Sequence, residues 1–178
     1  MMESSTGIVV RRESVHDHPV VFTVHARAFG SEAEARLVEH LRQRVHFDPR
    51  LSLVACDARD VVGHILFTPI EIVGDAARHG SLALAPMAVL PEHQRQGIGS
   101  QLVRAGLAAC AESGYASVVV VGHADFYPRF GFVRADRYGI RAPFEVPPQA
   151  FMACELTTAA LAGITGVVSY PPEFDQFT

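Results

Sequence analysis

Leu82-Ala-Leu-Ala-Pro-Met-Ala-Val-Leu-Pro-Glu-His-Gln-Arg-Gln-Gly-Ile-Gly-Ser-Gln-Leu-Val-Arg-Ala-Gly-Leu107 joins an apolar run, a short polar loop and an amphipathic stretch without a break. The run Leu82–Leu90 predicts a strand, and Ile98–Ser113 predicts a helix closed by Gly114. Between them lies Gln94-x-x-Gly97-x-Gly99. A helix that starts directly after such a loop presents free backbone N–H groups and a partial positive charge. Glycines let the backbone approach an anion closely. The order strand, glycine loop, helix therefore predicts a pyrophosphate site.

Two common phosphate loops are excluded. A dinucleotide fold needs Gly-x-Gly-x-x-Gly after the first strand of its unit, and this loop has two glycines and sits mid-chain. A P-loop needs lysine, and all 15 basic residues of the Lys+Arg count are arginine. Pro86 inside the predicted strand cannot donate to a sheet ladder, so it marks an edge or a bulge.

The pattern (Gln/Arg)-x-x-Gly-x-(Gly/Ala) after an apolar strand resembles the acetyl-CoA pyrophosphate loop of the GNAT-superfamily N-acetyltransferases. Phe126-Tyr-Pro-Arg-Phe-Gly-Phe132 is similar to a second motif of that family. The resemblance covers about Val61–Val133, and the tail looks like that of a bacterial subgroup of acetyltransferases. It implies an α/β (α+β) fold with a mixed, mostly antiparallel central sheet and helices on both faces. A bulge at Pro86 is expected to splay the strands Leu82–Leu90 and Ala116–Val121, opening a cleft for CoA.

The resemblance implies direct transfer of an acetyl group from acetyl-CoA to a primary amine on a small molecule or peptide. Strand residues Met87, Ala88 and Val89 are then expected to bind the thioester arm and polarise its carbonyl. Gln94, Arg95, Gln96, Gly97, Ile98, Gly99 and Ser100 are expected to hold the pyrophosphate, with Phe126, Tyr127 and Phe130 beside them. Tyr127 is the expected general acid toward the departing thiolate, since a phenol has a pKa of about 10. The family's strand glutamate has no counterpart in Leu82–Leu90. His123 and Glu71 are the candidate bases. A CoA-binding regulatory module and an acyltransferase with a larger donor are the alternatives.

Acceptor choice is expected to reside in Phe29–Ser31, Arg134–Gln149 and the tail. Phe29, Tyr138, Phe144, Tyr170 and Phe174 are candidate pocket aromatics, and Arg137 and Arg141 hint at an acceptor bearing a carboxylate or phosphate. A homodimer joined through the C-terminal strands is the oligomer the resemblance suggests.

The 178 residues are long enough for one domain, 1–178, with the 157–178 tail packed on it. An apolar content of 49% excludes a disordered chain, and no apolar run reaches the ~18 residues of a membrane span. The start lacks the basic and apolar regions of a signal peptide, so a cytoplasmic protein is expected. A net charge of −4 argues against nucleic acid. Cys56, Cys110 and Cys154 lie in apolar runs and read as buried free thiols; neither they nor the nine histidines show metal spacing.

Elsewhere, Ile8–Arg12, Leu51–Cys56, Val61–Val73 and Phe151–Leu156 predict strands. Asp17-His-Pro19 predicts a helix start. Ser31-Glu-Ala-Glu34 predicts a capping box for a second helix with the apolar stripe Leu37, Val38, Leu41 and Val45. Arg134–Gln149 reads as a long loop.

Overall fold

Strand β2 (Ser52–Asp57) and strand β3 (Asp60–Val73) form a hairpin, and alternate side chains on them enter two different cores. Leu53, Ala55, Val62, Ile65 and Phe67 pack with helix α3 (Ile98–Glu112) through Ile98, Leu102, Val103 and Cys110. Val54, Cys56, Val61 and Leu66 pack on the other face. There they meet α1 (His18–Phe29) and α2 (Ala33–Arg42) through Val21, Val24, Leu37, Val38 and Leu41. These relations come from a computed structural model that describes residues 7–177. Residues 1–6, on which the expectation of no signal peptide rests, lie outside it.

β1 (Ile8–Arg12), β4 (Arg78–Val89), β5 (Ser117–Val121), β6 (Val133–Arg134), β7 (Ile140–Arg141), β8 (Phe151–Glu155) and β9 (Gly166–Ser169) complete the sheet. Its order is β1-β2-β3-β4-β5-β8-β6, with β9 paired to the end of β3 and to β7. Only β4–β5 and β7–β9 are parallel. This is the mixed, mostly antiparallel fold expected from the motifs, with helices on both faces. No helix among the described residues is long and apolar enough to cross a membrane.

Local details depart from the sequence reading. α2 starts after Glu32, not Ser31, although the Ser31 hydroxyl still accepts from the Ala33 N–H at 3.3 Å. It ends at Arg42, so Val45 falls beyond the apolar stripe and is 95% exposed. β4 extends back to Arg78, four residues before the Leu82 start that the sequence predicts. The loop expected over 134–149 contains β6, β7 and a helical turn, Ala135–Tyr138. Two-residue strands carry too little alternation to be seen in sequence.

A buried polar chain runs between α1 and the sheet. Arg42 pairs with Glu13 through two nitrogens. The Ser52 hydroxyl donates to Glu13 at 2.6 Å. Having spent its one proton there, Ser52 Oγ accepts from His64 Nε2–H at 2.8 Å. His64 Nδ1 therefore accepts from His25 Nε2–H, also at 2.8 Å. Every donor thus points toward the carboxylate, and His25 Nδ1 is left as a buried acceptor without a partner. Both rings are fully buried. Desolvation lowers the pKa of His25 to about 2 and that of His64 to about 3.

Candidate active site

β4 and β5 pair only at Leu82↔Val118 and Ala83↔Val119. Beyond that point β4 changes register against β3, where Ile65 faces Met87 but Phe67 faces Leu84. There Ala85 and Pro86, joined by a cis peptide bond, stand against the single residue Leu66. This is the bulge foreseen at the proline. From Leu84 to Val89 the β5 side of β4 has no ladder partner, and a cleft of about 960 Å³ opens there.

The first turn of α3 forms one wall. Gly97 precedes it with φ 83°, and Arg95 is also left-handed at φ 61°. Such values suit glycine and strain arginine, so this loop is held in an uncommon shape. No side chain caps the helix, so its first N–H groups face the cleft, which Gly97, Ile98, Gly99 and Ser100 line. Gln94 closes the loop by donating its amide to the Val89 carbonyl at 3.0 Å. Phe126 abuts Gly99, and the Arg129 guanidinium lies over the Phe126 ring, 4.8 Å from its centre. Arg95 and Arg129 both line this end. A helix N-terminus and two arginines suit an anion.

Tyr127 also lines the cleft, on the turn Tyr127–Phe130. It is 7% exposed, and its ring packs edge-on to Phe126 and Phe132. Burial pushes its pKa up to about 12, so the phenol keeps its proton at neutral pH. Its hydroxyl has no hydrogen-bond partner among the described residues. The ring lies against Gly122 so closely that a Cβ there would sit 2.2 Å from Tyr127 Cε2. Gly122→Ala is therefore expected to displace the ring, which near-ultraviolet circular dichroism of the variant checks.

The other end has different chemistry. Phe29, Leu37, Phe144, Tyr170, Phe174 and Phe177 form its walls. Tyr170 bridges Phe144 and Phe174, with ring centres 5.8 and 5.4 Å apart. Among the described residues, Glu34 is the sole acidic one lining the cleft.

The structure thus brings together Met87, Ala88, Val89, Gln94, Arg95, Gly97, Ile98, Gly99, Ser100, His123, Phe126 and Tyr127. Gln96 and Phe130 lie outside the lining. The Gln96 amide turns back onto the Glu92 carbonyl, and Phe130 packs under Arg104 and against Phe126. Glu71 is not brought in either, because it pairs with Gly80 at the opposite end of β4 and binds Arg78 at 2.8 Å. Arg137, Arg141 and Tyr138 also stay out of the cleft lining, so the two arginines expected to bind a carboxylate or phosphate do not line it. Sequence reasoning missed Gly122, Arg129, Glu34 and Phe177. Only Arg129 carried a signal, since it lies within the second motif.

A nine-stranded mixed sheet split at a bulged strand, over an uncapped helix start, defines a CoA-dependent acyltransferase architecture. Residues 48–134 match the acetyltransferase (GNAT) domain, and the chain belongs to the GNAT family of N-acetyltransferases. It is 36% identical to an N-acetyltransferase of Escherichia coli K12, YhbS, over 96% of this chain and all of that protein. The crystal structure of E. coli YhbS in complex with CoA superposes with a TM-score of 0.90, at 34% identity, over 100% of this chain and 97% of that one. A GNAT-family acetyltransferase from Brucella melitensis in complex with acetyl-CoA gives 0.77 at 30% identity, over 96% and 99% of the two chains.

Proposed function

We propose that this protein transfers the acetyl group of acetyl-CoA directly to a primary amine. The observation that carries this reading is the gap between β4 and β5, which opens onto the free start of α3 with the Tyr127 phenol inside it. Two relatives that cover nearly the whole chain are described with CoA or acetyl-CoA bound.

In this reading the pyrophosphate takes the backbone N–H groups of Ile98, Gly99 and Ser100 and the charge of Arg95 and Arg129. The pantetheine arm pairs with the unpartnered edge of β4 at Met87, Ala88 and Val89. Backbone N–H groups there polarise the thioester carbonyl and stabilise its developing negative oxygen. The acceptor ammonium gives up one proton, for which the exposed His123 at the cleft is the proposed carrier. Its nitrogen then bonds to the carbonyl carbon and gives up its second proton to solvent as the carbon–sulfur bond breaks. Sulfur takes the proton of Tyr127, which is restored from solvent. The products are the amide, the CoA thiol and one proton.

The test is release of free thiol from acetyl-CoA in the presence of primary amines, beside calorimetry of acetyl-CoA alone. Thiol release that needs an amine, and that the matching alcohol does not support, is the expected result. Tight acetyl-CoA binding without amine-dependent release would overturn catalysis in favour of a CoA-responsive regulatory module. Propionyl-CoA and succinyl-CoA in the same assay decide between acetyl and larger donors.

A further inference from the structure

We infer that the acceptor is an aralkyl amine, a primary ammonium carried on an aromatic or similarly bulky apolar group, with Glu34 as its counter-ion. The inference rests on the proposed acetyl transfer and extends it to the substrate class. Its basis is the segregation of charge along one cleft. Both arginines that line it lie at the end formed by α3, where Arg129 covers Phe126 and Phe126 abuts Gly99. Among the described residues, the lining of the far end holds no arginine and one carboxylate.

Glu34 is half-buried, in the first turn of α2. Its neighbour Glu32 is matched to Arg36 at 2.6 Å, whereas Glu34 makes no ion pair among the described residues. Its hydrogen-bond partner is the Ser31 hydroxyl, at a long 3.4 Å. A partly desolvated carboxylate without a cation attracts one strongly. The surrounding rings reinforce the preference, because aromatic faces attract cations and bury apolar groups. Phe144, Tyr170 and Phe174 form a continuous aromatic wall, packed beside α2 through Phe174. Phe29 and Phe177 remain 46% and 40% exposed, leaving apolar surface for a ligand to cover.

The same features reject other amines. A free amino acid brings a carboxylate toward Glu34 and finds no arginine there. A polyamine carries several charges and finds a single acid. Phenylalanine and phenethylamine differ only in the carboxylate, so their ratio reads the electrostatics alone.

The experiment compares kcat/KM for phenethylamine, phenylalanine, spermidine and a lysine-containing peptide. It also measures binding of phenethyltrimethylammonium, which cannot react, to the CoA-loaded protein and to Glu34→Gln. Phenethylamine is expected to exceed each of the others by about tenfold or more. Glu34→Gln is expected to weaken the quaternary cation about tenfold without changing acetyl-CoA affinity. If spermidine, phenylalanine or the peptide is the better substrate, the inference fails while the transfer reading stands. If no amine releases thiol but the cation binds in a Glu34-dependent way, the site stands and the transfer reading fails. Absence of cation binding, or equal binding to Glu34→Gln, overturns the inference outright.

Discussion

Tyr127→Phe is expected to lower kcat for acetyl transfer by about a hundredfold and to leave KM for acetyl-CoA within about twofold. The substitution keeps the ring that packs on Phe126 and Phe132 beside Gly122 and deletes only the hydroxyl. That oxygen makes no hydrogen bond to another described residue, so its loss leaves no protein group unpaired. Stability should therefore change little, and a fall in kcat reports the chemical step. In the proposed mechanism the phenol protonates the leaving sulfur. A pKa of about 12 means that it still carries its proton well above neutral pH. An alkaline fall in kcat below about pH 10 would then belong to another group. Steady-state kinetics with the best amine checks the assignment, and a variant with full kcat removes Tyr127 from it.

Acidification from pH 7 to pH 5 is expected to cost the fold about 4 kcal/mol, about 2 from each of His25 and His64. Both are bases whose folded pKa is depressed, to about 2 and about 3. The unfolded chain binds their protons below about pH 6.5, and the folded chain does not. Stability is therefore complete above that pH and falls as pH drops toward the folded values. For His25 the surrounding charges are His64, Arg42 and Glu13, while Arg42, His18 and Asp17 act on His64. Asp17 and Asp48 are held below the ordinary carboxylate range by Arg11 and Arg50. Their contributions are lost only below about pH 4, outside this window. Urea unfolding at the two pH values measures the difference, and His25→Phe should retain about half of it. An unchanged midpoint would exclude neutral burial of the pair.

The α3 side of the cleft was legible because most of its lining falls in two short motifs. Pro86, Gly97 and Gly99 lie in the first and Tyr127 in the second, and each needs a special backbone or a special side chain. The acceptor half was not, since Glu34, Phe144 and Phe177 meet only after β9 pairs with both β3 and β7. Gly122 carried no signal in the sequence, because its reason, the Tyr127 ring at 2.2 Å from a would-be Cβ, exists only in three dimensions. His25 and His64 are 39 positions apart and come together through the packing of α1 on β3. Val45 shows the opposite error: its spacing fits the stripe, but the helix ends before it.

The tail that forms the aromatic wall is fastened by the short β9 pairing and by Arg44, which binds Glu173 at 2.7 Å. The α3 side of the cleft draws on residues 83–129, and the aromatic side draws on 29–37 and 144–177. Inheritance can act on these parts separately. In the proposed reaction, a lineage that rewrites its last thirty-odd residues is re-addressed to a new acceptor while the thioester chemistry passes down unaltered. Exchanging the tails of two such proteins is then a route to a different acceptor with the same donor.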